Sequence, residues 1–112
     1  AAKLKGMDRM GLDVSMISPA PIVYFYWLDA DAGAEAARIV NDGIANMAAA
    51  CPERLMGLGT LPMQHPDAAV AELERIVKQH GFRGVELGTS VGDEQVADKR
   101  FRPVLRRAQE LG

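Results

Sequence analysis

One local pattern occurs three times along this chain, a short apolar stretch that breaks at a turn and then gives way to helical spacing. It reads Leu12-Asp13-Val14-Ser15-Met16-Ile17-Ser18, then Leu55-Met56-Gly57-Leu58-Gly59-Thr60-Leu61-Pro62, then Gly84-Val85-Glu86-Leu87-Gly88-Thr89, each followed by a helical pattern. Strands that alternate with helices imply crossover connections and a parallel sheet. A parallel sheet concentrates chemistry where its strands end, so the loops after Ser18, Leu61 and Gly88 are the places to search.

The expected fold class is therefore α/β, with three βα units on a parallel sheet. At 112 residues the chain is a single domain. A (β/α)8 barrel needs roughly 250 residues, so a chain of this size holding three such units is about half of one. The chain is then either a small complete α/β fold or a piece of a larger one.

Helix boundaries are expected where local chemistry demands them. Leu4, Met7 and Met10 share a helical face that Gly11 ends. A second helix is expected from about Asp31 to about Ala50, with Ala37, Val40, Ile44, Met47 and Ala48 on its buried stripe. Pro66-Asp67 opens a third, which buries Val70, Leu73, Ile76 and Val77 and stops at Gly81. The last runs from about Asp98 toward Leu111, with Pro103 tolerable only near its first turn. Between the first strand and second helix lies Pro19-Ala20-Pro21, then Ile22 and four consecutive aromatic-rich positions, Tyr24-Phe25-Tyr26-Trp27, after Val23. That stretch reads as a long functional loop.

Composition excludes several classes. Thirteen Lys and Arg against fifteen Asp and Glu give a formal net charge of −2, with no long run of one sign, which argues against nucleic acid or an anionic membrane as partner. Arg100, Arg102, Arg106 and Arg107 do cluster, but opposite an apolar face of Phe101, Val104, Leu105 and Ala108, as on a solvated helix. The single cysteine, Cys51, leaves no intramolecular disulfide and no metal-site spacing, and suits a reducing cytoplasm. No stretch of about 18 apolar residues appears. Glycines never fall as G-x-G-x-x-G between strand and helix, so a dinucleotide site is not indicated, and those in the strands mark close helix approach or a bend.

Four phrases carry a family resemblance: Met7-Asp8-Arg9-Met10-Gly11-Leu12-Asp13-Val14, Asn41-Asp42-Gly43-Ile44-Ala45, Pro52-Glu53-Arg54-Leu55-Met56-Gly57-Leu58-Gly59-Thr60-Leu61-Pro62, and Gly84-Val85-Glu86-Leu87-Gly88-Thr89. In this order they resemble the amidohydrolase superfamily, in its aminocarboxymuconate-semialdehyde decarboxylase-like branch. The resemblance implies a metal-dependent (β/α)8 TIM barrel of which residues 1–112 would form the second to fourth βα units. It also implies zinc or another divalent metal, held by a His-x-His pair after the first strand, histidines after the fifth and sixth, and an aspartate after the eighth. None of those positions falls in this sequence, so no metal ligand and no catalytic residue is assigned here.

The residues by themselves agree with that. Zinc needs several His, Cys or carboxylate groups converging, and the two histidines, His65 and His80, stand at opposite ends of one helix. Glu86 alternates with Val85 and Leu87, so it faces the other side of its strand, either inside a barrel or satisfied by Arg83 or a backbone donor. Candidate substrate contacts are Ser18, Pro21, Tyr24, Trp27, Met63, Thr89 and Ser90, all at the carboxyl ends of expected strands. Ser18, Thr89 and Ser90 offer hydroxyls to a carboxylate, and Tyr24 and Trp27 offer rings to a planar substrate.

Two functions from different classes follow. In the first, the chain supplies pocket walls to a metal-dependent decarboxylase or hydrolase acting on a small carboxylic acid. In the second, it is a non-enzymatic half-barrel that forms a homo-oligomer through its open sheet edges.

Overall fold

The computed structural model describes residues 2–112. Helix α1 (Ala2–Met10) ends at Gly11, whose φ of 71° carries the chain out of the helix at little steric cost. Strand β1 (Ser15–Ile17) leads to a single 3₁₀ turn at Pro21–Val23, and α2 spans Ala30–Ala49. Asp29 caps α2 by accepting the Ala32 N–H at 2.9 Å, which places its start a residue before Asp31. Strand β2 (Leu55–Gly57) and helix α3 (Pro66–His80) follow, and α3 ends at Gly81 with φ 68°.

The sheet is parallel, with Ser15 opposite Leu55, Met16 opposite Met56 and Ile17 opposite Gly57. The third phrase joins it through one bridge, Gly59 with Val85, made by Gly59 N–H to Gly84 carbonyl at 3.1 Å and Glu86 N–H to Gly59 carbonyl at 2.9 Å. A third full-length strand is thus not formed among the described residues. Instead, the chain turns into a hairpin of β3 (Ser90–Val91) and β4 (Glu94–Gln95), joined by Gly92-Asp93 with Gly92 at φ 61°. A 3₁₀ turn at Lys99–Phe101 then runs into α4 (Arg102–Leu111), with Pro103 in its first turn.

The core lies where α2, α3 and α4 meet the sheet. Ile44, Leu61, Met63, Leu73, Ile76, Phe82, Phe101 and Val104 are all buried there. Two glycines in the β2 exit allow the close approach: a Cβ at Gly57 would come within 2.5 Å of the Phe82 ring, and one at Gly59 within 2.4 Å of Ile76 Cδ1. Met47 is the one expected stripe residue of α2 that faces solvent, at 57% exposed. The stripe is rotated from it, because Gly33, Ala37, Asn41 and Ile44 take the buried face.

Asn41 is fully buried among these apolar groups. Its Oδ1 accepts the Thr60 N–H at 2.8 Å, and its Nδ2 donates to the Thr60 carbonyl at 2.8 Å and to Glu72 Oε2 at 2.7 Å. Arg75 grips the buried Glu72 with two nitrogens, at 2.7 and 2.8 Å, and reaches Asp42, which also pairs with His80. At the opposite end of the strands Arg54 performs a similar task, donating to the carbonyls of Leu12 and Asp13 and to the Asp8 carboxylate.

Replacing Asn41 with alanine would strand both backbone groups of Thr60 in the interior and take from Glu72 Oε2 one of its two donors, leaving it only Arg75. The expected cost is about 3 kcal/mol, read from the urea midpoint at unchanged m-value. A loss below about 0.5 kcal/mol, the size of an ordinary surface change, would show that water replaces the amide freely.

Candidate functional site

The loop after β1 is built from proline and aromatic chemistry. Pro19 is buried, and Pro21 opens the 3₁₀ turn, where Val23 and Tyr24 donate to the carbonyls of Ala20 and Pro21. Phe25 then adopts φ 56°, a left-handed conformation that costs a non-glycine residue about 1 kcal/mol. The aromatic run splits in consequence. Tyr24 pairs with Tyr26 at 5.5 Å between ring centroids, and Phe25 meets Trp27 edge-on at 6.0 Å.

The tyrosine pair turns toward the third strand segment. The Tyr26 hydroxyl accepts the Gly88 N–H at 3.1 Å, and the Tyr24 phenol lies close enough to the Glu86 carboxylate to feel its charge. Burial and then the nearby Glu86 charge push the Tyr24 phenol up to about 12; burial also raises that of Tyr26. Both rings stay protonated throughout the physiological range.

The structure distributes the expected contact residues unevenly. Trp27 is 78% exposed, and Ser18, Pro21, Thr89 and Ser90 are exposed as well. Tyr24 is 8% exposed and Met63 fully buried, so their side chains pack into the body of the protein beneath the exposed ones. Tyr24 packs against the Tyr26 ring, whose bond to Gly88 brings the pair beside Thr89, and Ser90 begins the hairpin next to them. Of the histidines, His65 occupies the N-cap position of α3 without a side-chain cap bond, while His80 pairs with Asp42 at 2.8 Å. His80 and Arg75 together hold the Asp42 carboxyl below the usual carboxylate range.

Two residues at this end have no counterpart among the sequence expectations. Gln64 donates from Nε2 to the carbonyls of Phe25 at 3.0 Å and Leu28 at 3.2 Å. Arg100 donates to the Gln64 carbonyl and pairs with Glu94 at 2.7 Å. The only signal for either was position, since Gln64 directly follows Met63 at a strand exit and Arg100 stood in a cluster that read as solvated. The loops after all three strand segments are thus tied together, and an exposed indole and three hydroxyls stand on them. Such an arrangement can stack on a flat ring and donate hydrogen bonds to a carboxylate.

Similarity to known proteins sharpens this picture. The profile of the family described as amidohydrolase matches residues 1–112. The chain belongs to the amidohydrolase family. It is 28% identical over 110 residues to the 2-amino-3-carboxymuconate-6-semialdehyde decarboxylase of Dictyostelium discoideum, covering 98% of this chain and 31% of that protein. It is 40% identical over 83 residues to the gamma-resorcylate decarboxylase of Polaromonas sp., covering 73% of this chain and 25% of that protein. The chain therefore spans between a quarter and a third of the curated relatives it matches.

Among solved structures, the dihydroxybenzoic acid decarboxylase of Polaromonas sp. JS666 superposes with a TM-score of 0.89 at 29% identity, over 98% of this chain and 35% of that one. That structure holds manganese and the inhibitor 2-nitroresorcinol. The structural neighbours are TIM-barrel amidohydrolases, which accounts for the parallel ladder of β1 and β2.

The two phenols supply a measurement on the chain itself, since Tyr24 and Tyr26 are its only tyrosines. Both are harder to ionise in the fold than in the unfolded chain, so their linkage leaves stability intact below pH 10 and withdraws it as the pH climbs from 10 toward about 12. Tyrosinate absorbance should stay low at pH 10.0, where an unperturbed phenol is half ionised, and should rise together with loss of the circular dichroism signal. Half ionisation at that pH with native dichroism would mean that both hydroxyls sit in water.

Proposed function

We propose that this chain forms pocket wall in a metal-dependent decarboxylase acting on an aromatic or unsaturated carboxylic acid, as the second to fourth βα units of its barrel. The observation that carries this reading is the convergence of the three strand exits, held by Tyr26 on Gly88, Gln64 on Phe25 and Leu28, and Arg100 on Gln64. The decarboxylases among the relatives favour loss of carbon dioxide over hydrolysis.

In this reading the Trp27 indole lies against the flat face of the substrate, and Ser18, Thr89 and Ser90 donate hydrogen bonds to its carboxylate or ring oxygens. The Tyr24 phenol keeps its proton beside the Glu86 carboxylate beneath the pocket. Manganese accompanies the Polaromonas enzyme. Among the described residues no three His, Cys, Asp or Glu side chains converge, so this stretch does not by itself fit a divalent cation, and no step through a metal is assigned to its residues.

In an intact family enzyme that carries this stretch, Trp27→Ala should lower kcat/KM about tenfold, chiefly through KM, with metal content unchanged by elemental analysis. Unchanged kinetics for both Trp27→Ala and Ser18→Ala would make the loop structural and defeat the assignment.

A second reading, a self-associating half-barrel, is favoured by one observation. Met10, Leu12, Val14 and Met16, from the end of α1 through the linker into β1, are all exposed apolar side chains, and β1 pairs on one side only among the described residues. Sedimentation of the chain should then give a mass above that of one copy. A clean monomer from micromolar to millimolar concentration would leave this module reading without support.

A further inference from the structure

Gln64 occupies an unusual place at the β2 exit. It is 8% exposed, and its carboxamide lies against the first turn of α2, where a Cβ at Gly33 would come within 2.4 Å of Nε2. Both hydrogens of Nε2 are spent on backbone carbonyls, those of Phe25 and Leu28. The Phe25 carbonyl also accepts the Leu28 N–H at 3.1 Å, so the amide closes the turn at the one non-glycine residue with positive φ among those described.

The backbone of the same residue faces another loop. Its carbonyl accepts from Arg100, whose other terminal nitrogen holds Glu94 on β4. One residue therefore joins the aromatic loop after β1, the start of α2 and the hairpin that follows the third strand segment. A glutamine is suited to this because two hydrogens on one neutral nitrogen can satisfy two carbonyls without bringing a charge into a buried position. Methionine has the length and no donor; glutamate would set oxygen against oxygen.

We propose that Gln64 is a positioning residue that sets where the aromatic loop, and with it Trp27, stands relative to the hairpin that begins at Ser90. Its consequence for a substrate rests on the reading of the pocket given above, whereas the loop placement can be measured without any substrate.

The test compares the full chain with Gln64→Met, Gln64→Glu and Arg100→Met by amide hydrogen exchange and by fluorescence anisotropy of Trp27, the single tryptophan. Losing the latch should speed exchange at the Leu28 N–H about tenfold in Gln64→Met, and further in Gln64→Glu, while exchange at Ile76 inside α3 stays as it was. Trp27 anisotropy should fall in the same two variants. Arg100→Met should leave Leu28 alone and speed the Val96 N–H, which bonds to the Thr89 carbonyl at 2.9 Å within the hairpin. Unchanged Leu28 exchange and Trp27 anisotropy would overturn the proposal, and so would equal acceleration at Leu28 and Ile76, which would mean that Gln64 only fills the core. Should these readouts be met while Trp27→Ala leaves an intact enzyme unaffected, the pocket reading falls and the positioning role stands.

Discussion

The buried carboxamide of Asn41 does what an apolar side chain at that point of α2 could not: it takes both the N–H and the carbonyl of Thr60, the residue at which the chain leaves the parallel ladder. A peptide group that departs from a sheet into the interior must find new partners or lose about as much as a hydrogen bond is worth on each side. Asn41 supplies both from one helix position. Its remaining hydrogen goes to Glu72, so α2 and α3 are registered against the same strand exit. The buried carboxylate is tolerable because Arg75 meets it with two nitrogens, and Arg75 is steadied in turn by Asp42. The chain of contacts therefore begins in the core and ends at the partly exposed Asp42 and His80 pair.

What could be read from the sequence was what local chemistry decides. Gly11 and Gly81 stop their helices because a positive φ is cheap for glycine, Pro66 begins one because its missing N–H is not needed there, and the glycines of β2 lie under Phe82 and Ile76 as a close approach requires. The parallel pairing of the first two strands follows from the same alternation of elements. The third phrase has equal β character but finds one bridge among the described residues, because strand length depends on a neighbour and not on propensity. The hairpin from Ser90 to Gln95 was hidden for the opposite reason. Two-residue strands of mostly polar residues show no alternation, and only Gly92 marks the turn.

The polar residues that organise the molecule were the hardest to see. Asn41, Glu72 and Gln64 are side chains that a helical or loop pattern assigns to solvent, and apart from Arg75, three residues from Glu72, their partners lie 19 to 39 residues away in sequence. No local spacing encodes such a bond. Met47 illustrates the converse error, since admitting Asn41 to the buried stripe of α2 turns the methionine outward. Glu86 was legible in part: the strand alternation separates it from Val85 and Leu87, but that a phenol of the aromatic loop meets it depends on how that loop folds back.

The four aromatic residues show how the loop serves two demands at once. In extended backbone, successive side chains point to opposite sides, and the pairing of Tyr24 with Tyr26 and of Phe25 with Trp27 keeps that period of two through a turn. The members with hydroxyls face inward, where Gly88 donates to Tyr26 and Glu86 lies near Tyr24, and burying a phenol hydroxyl without polar neighbours would offset part of what its ring gains. The members without hydroxyls face outward or along the surface, where no partner is needed. Reversing the order of the pairs would bury an indole N–H and expose two phenols, so the anchoring of the loop and the availability of Trp27 to a planar ligand both come from the same sequence order.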